Sequence, residues 1–97
     1  MDLYAIIRRE GWVTPGDLQE AADRSSAVGD GEMPEDIRWI RSYVLSEDSG
    51  NLGTVCIYEA SSPEKIREHA ERADLPVTEI IPIADTVVVR PDPTAAA

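Results

Sequence analysis

Twice along this chain a short apolar run gives way to a hydroxyl residue, a proline and an acid: Thr14-Pro15-Gly16-Asp17, then Ser62-Pro63-Glu64. A hydroxyl caps the first free N–H groups of a helix, proline fits the first helical position, and an acid nearby suits the dipole. Two such starts, each behind a strand-like run, predict two strand-to-helix units. In the first helix Leu18, Ala21, Ala22, Ser25 and Val28 follow at helical spacing, and Gly29 is the expected stop. In the second, Ile66, Ala70 and Ala73 form the apolar seam, His69 borders it, and Leu75-Pro76 is the expected end.

The strands fill the intervals. Asp2 to Arg9 places Leu3, Ala5 and Ile7 on one side and Tyr4, Ile6 and Arg8 on the other. Both sets are largely apolar, which suits an inner strand. In Ile37 to Leu45, strict alternation puts Ile37, Trp39, Arg41, Tyr43 and Leu45 on one face, with Arg38, Ile40, Ser42 and Val44 on the other. Ser46 to Gly53 is a hairpin turn, and Gly53 to Ala60 the third strand. Val77 to Ile83 is the fourth; Pro82 cannot donate to a ladder, so an edge or a bulge is expected there. Thr86 to Arg90 reads as a further short strand that continues the edge or reaches a dimer mate.

The order β-α-β-β-α-β, with right-handed crossovers, predicts a ferredoxin-like α+β fold: an antiparallel sheet with both helices on one face. The opposite face needs cover, and a second copy of the sheet, in a dimeric barrel-like association, is the simplest. The chain's 97 residues make one domain, expected over residues 1–90 with a disordered or extended tail at Pro91–Ala97. The core is small and has no Phe, so partner burial would add to it.

Nineteen acids against nine bases give a formal charge of −10, which repels nucleic acid and anionic lipid. No apolar run approaches the roughly 18–20 residues of a membrane helix, and MDLYAIIRRE has no leader pattern, so a cytoplasmic location is expected. A single Cys excludes an internal disulfide framework, and Cys-x-x-Cys and Cys-His zinc spacings are absent.

The residues suited to chemistry gather between Val55 and Pro76: the one Cys (Cys56), the one His (His69), and the pair Tyr58-Glu59. Cys56 reads as a small buried hydrophobe. His69 is either a boundary histidine bonded to backbone or water, or a metal ligand or proton carrier. Glu59 is either an exposed carboxylate or a ligand or base beside Tyr58 or His69. Arg41, expected beside Trp39 and Tyr43, is an ion-pair or stacking partner, or an anion clamp over the open sheet face. Arg8, Arg9, Arg38 and Arg41 concentrate positive charge against an acidic background, which suits a small carboxylate or phosphate. No P-loop, GxGxxG or Ser-centred nucleophile elbow is present.

Three stretches resemble a family of small bacterial domains of unknown function, some of whose members are described as nickel-binding. They are the first strand ending Arg8-Arg9-Glu10, the Arg38-Trp39-Ile40-Arg41-Ser42-Tyr43 strand, and Tyr58-Glu59-Ala60-Ser61 followed by Glu64 to Pro76. The likeness runs from about residue 2 to about residue 83. It implies a dimeric ferredoxin-like fold and a nickel site, of whose ligands only Glu59 and His69 have matching positions; the first strand lacks the family's histidines. The combined expectation is a non-enzymatic, homodimeric ligand-binding domain. Its site would join Arg41, Tyr43, Tyr58, Glu59 and His69, with nickel as the expected metal. The alternative is a small cofactor-independent enzyme, monooxygenase- or isomerase-like, working in a pocket between sheet and helix.

Overall fold

The two capped starts form the two helices. A computed structural model describes residues 1–93. Its elements in order are β1 (Asp2–Trp12), α1 (Pro15–Gly31), β2 (Ile37–Ser46), β3 (Leu52–Ala60), α2 (Pro63–Ala73) and β4 (Glu79–Pro82). Thr14 Oγ1 accepts from the Asp17 amide at 3.1 Å, and Ser62 Oγ from the Lys65 amide at 3.3 Å, so both N-caps work as the sequence implies.

The strands make one antiparallel sheet in the order β2-β3-β1-β4. Tyr4, Ile6, Cys56, Tyr58 and Ala60 face both helices and join Val28, Ile37, Ile66 and Ala73 in the core. This is the ferredoxin-like α+β fold. β4 lies at an edge, where the missing N–H of Pro82 leaves no ladder bond broken.

Four local expectations need correction. Gly29 does not stop α1, which runs on to Gly31 with Glu32 as its C-cap. Gly29 is buried where α1 meets α2: a Cβ there would lie 3.7 Å from His69 Nε2. The end of α2 comes from Asp74, in the left-handed conformation at φ 55°, ahead of Leu75-Pro76. The Thr86 to Arg90 strand does not form. Among the described residues no strand pairs with this stretch, and Val87, Val88 and Val89 are 75–85% exposed. Asp92 instead meets Arg41 and Tyr43 on β2. Of the expected tail, Pro91–Pro93 has no regular structure, and residues 94–97 lie outside the described residues.

The fourth correction shapes the site. Pairing steps from Trp39↔Tyr58 directly to Arg41↔Ile57, leaving Ile40 as the extra residue of a bulge. A bulge reverses the alternation beyond it. Trp39 therefore shares the helix-side face with Tyr58, while Arg41 and Tyr43 share the open face with Ile57 and Val55. They are not one face with Trp39. A second bulge in β1, between Arg8 and Trp12, has Glu10 at φ 53°. Glu47 holds it, accepting from the Glu10 amide at 2.6 Å and from Arg9 Nε at 2.9 Å. The Arg9 hydrogen bond, with the Glu10 amide behind it, keeps the Glu47 carboxyl below its usual range. Trp12, three residues beyond the expected strand end at Arg9, thus ends β1 as a buried residue.

Candidate functional site

The side chains expected to form one cluster divide between the two faces of the sheet. On the open face, Arg41 Nη1 reaches Asp92 Oδ2 at 3.0 Å, and the Tyr43 hydroxyl donates to the same carboxylate at 2.9 Å. The chain's own acid thus occupies that clamp. Glu59 belongs to the same face and faces Arg38 at 3.5 Å. Tyr58 and His69 lie behind the sheet, both closed from water.

Behind the sheet a polar chain crosses the core. The Tyr58 hydroxyl and Ser25 Oγ share a hydrogen bond of 2.7 Å. His69 Nε2 lies 3.1 Å from the Ser25 carbonyl, which can only accept, so Nε2 carries the proton and donates. His69 Nδ1 is buried without a partner among the described residues. Burial lowers the His69 pKa; the Ser25 carbonyl works against this, and the Arg8 cation adds to it. Burial also raises the Tyr58 pKa, opposed by the Ser25 hydrogen bond. Both groups are therefore neutral near pH 7.

Next to this chain, between α1 and the sheet, is a cavity of about 580 Å³. Leu18, Ala21, Ala22 and Ser25 line it from α1; Arg8, Trp12, Trp39 and Tyr58 line it from the sheet. The Trp39 and Tyr58 rings lie parallel within 6°, their centroids 6.0 Å apart. The Ile40 bulge puts Trp39 on this side, and the Glu47-held bulge brings in Trp12. Arg8 is 1% exposed. Its Nη1 donates to the Pro76 carbonyl at 2.6 Å, while Nη2 is buried with no partner among the described residues.

Arg8, Trp12, Leu18 and Ser25 were absent from the expected site. Arg8 had left a signal: it shares a strand face with Tyr4 and Ile6, and a cation on a core-facing row has no bland explanation. Trp12 left none, because alternation does not register a bulge.

The family described as nickel responsive protein SCO4226-like matches residues 4–83. The chain belongs to that family. The crystal structure of SCO4226 from Streptomyces coelicolor A3(2) matches with a TM-score of 0.70 at 21% identity, covering 88% of this chain and 99% of that one. Likeness at that identity shows the fold. No curated protein matches the chain.

The family's nickel responsiveness raises the question of a metal. The described residues of this chain do not fit one. Glu59 and His69 are on opposite faces of the sheet, and among the described residues no group of three or more His, Cys, Asp and Glu is placed to hold a metal ion. A transition metal ordinarily draws three or four such ligands. No helix among the described residues is long and apolar enough to cross a membrane.

Proposed function

We propose that this SCO4226-like protein is a homodimeric, non-enzymatic domain that binds a small organic molecule in the cavity behind its sheet. The observation that carries this reading is the cavity's wall. It is apolar and aromatic, of a volume within the roughly 300–1,000 Å³ of ordinary ligand sites, and includes few polar groups. No carboxylate and no imidazole lines it among the described residues, so it lacks the usual groups for acid–base chemistry at neutral pH. That supports a binder over the monooxygenase- or isomerase-like alternative. The formal charge of −10 supports partners other than nucleic acid or anionic membranes.

The dimer rests on the open face. Leu3, Ala5, Ile7, Val55 and Ile57 form a half-buried apolar surface there, and Tyr43 and Ile81 border it. A second copy of the sheet would cover it.

Nickel is the second reading, favoured by the family description. Both ligands can be followed in one experiment, amide NMR spectra of the labelled protein during titration. Indole is expected to move Ala21, Ala22, Trp39 and Tyr58, and Ala22→Phe is expected to abolish the shifts by filling the cavity. Ni²⁺ is expected to bind no tighter than about 100 μM, equivalent to roughly −5.5 kcal/mol. Indole shifts confined to Tyr43, Ile57 and Ile81 would overturn the cavity reading. Tighter Ni²⁺ binding that His69→Ala abolishes would establish the metal reading instead.

A further inference from the structure

We propose that the cavity selects a monocarboxylate with a flat apolar body, its carboxylate received by Arg8. This rests on the cavity being the ligand site and adds the chemistry of the ligand.

Arg8 is a buried cation short of a partner among the described residues. A guanidinium 1% exposed has lost its water. Buried cations are ordinarily paired with an anion, because desolvation alone costs several kcal/mol. Every other pair in the fold involves a different arginine or Lys65, and no carboxylate among the described residues pairs with Arg8. One neutral acceptor, the Pro76 carbonyl, serves Nη1, and Nη2 is left without any among the described residues. What the residue lacks is one anionic acceptor.

The surroundings decide which anion. Arg8 belongs to the cavity wall, alongside Trp12, Leu18, Trp39 and Tyr58. Those residues would cover an apolar body, and parallel Trp39 and Tyr58 rings favour a flat one. A phosphate dianion would need more than one cation, and its oxygens would face apolar walls. A carboxylate needs fewer partners: Arg8 supplies a charged donor, and of the Ser25 and Tyr58 hydroxyls, which bond each other, one keeps a hydrogen free as a neutral donor. Arg41 also borders the cavity, but its guanidinium is held by Asp92 at 3.0 Å on the open face, which leaves Arg8 as the unpaired cation of the wall among the described residues.

A matched pair of probes tests this. Phenylacetate and phenylacetamide share a shape and differ in charge. The expected result is that the acid binds the wild-type protein at least about tenfold more tightly than the amide, as a charge-assisted hydrogen bond to a buried cation provides. The Arg8 side-chain NMR resonance is expected to move with the acid alone. Arg8→Met is expected to bring the two affinities within about twofold while amide binding persists. Should Arg8→Met not fold, the wild-type ratio and the Arg8 resonance decide alone. Equal affinities in the wild type, with shifts at the cavity, would overturn the carboxylate and leave the cavity as an organic-ligand site. Absence of cavity shifts with either probe at millimolar concentration would overturn both readings.

Discussion

His69 shows how one buried side chain gives the fold a dependence on pH. Its imidazole is 0% exposed, donates to the Ser25 carbonyl, and faces the Arg8 cation, so its protonated form is disfavoured in the folded chain. The unfolded chain takes up a proton near the ordinary pKa of 6.5, and the folded chain only at lower pH. Below that value the unfolded state holds more protons, so stability falls as pH falls, by at most about 1.4 kcal/mol per pH unit for one proton. Urea unfolding at about pH 7.5 and about pH 5.5 is expected to show this loss, and His69→Gln to flatten it. An unchanged wild-type midpoint would contradict the placement of His69. Glu47 acts lower down: its depressed pKa gives stability present above the ordinary 4.5 and lost as pH falls further. Burial of His69 was only half legible in the sequence. Its spacing from Ile66 put it at the seam's border; what buries it is the approach of α1, whose Gly29 lies against the ring.

At the scale of elements, caps and composition were readable because they act over three or four residues. Thr14, Pro15, Ser62 and Pro63 mark both helix starts correctly. The bulges were not readable. Nothing in Ile37–Ser46 announces that Ile40 is passed over, yet that one residue moves Trp39 behind the sheet and leaves Arg41 and Tyr43 in front. The bulge in β1 depends on residues far apart: Glu47 bonds it from the hairpin, and Gly53 lies beneath it. A Cβ on Gly53 would meet the Arg8 carbonyl at 2.7 Å and Glu47 Oε2 at 3.0 Å. A Cβ on Gly29 would meet its neighbours at 3.6 Å or more, ordinary contact. Gly53→Ala is therefore expected to lower stability by about 2 kcal/mol or more, as strain in a packed region does. Gly29→Ala is expected to raise it by up to about 1 kcal/mol through helix propensity. Thermal melts of the two variants check both signs, and a tolerated Gly53→Ala would contradict the described bulge.

For the whole molecule, strand order and the shared helix face followed from the sequence of elements, since a β-α-β-β-α-β chain has few ways to close. The site did not follow, because it was expected where rare residues cluster along the chain. The sheet instead separates Glu59 from His69 and joins Arg8 to residues of α1 and β2. The open face carries the prediction for assembly. Ile57 is in the middle of its apolar rows, between Ala5 and Arg41. Light scattering at tens of micromolar is expected to give a dimer mass for the wild type and a monomer mass for a folded Ile57→Asp; a monomeric wild type would contradict the proposed pairing.

A crystal structure of the protein soaked in phenylacetate tests for a ligand site behind the sheet. Density is expected between α1 and the Trp39–Tyr58 pair, with the carboxylate at Arg8. A cavity closed by its own side chains, or ligand density confined to the open face beside Arg41 and Tyr43, would contradict it.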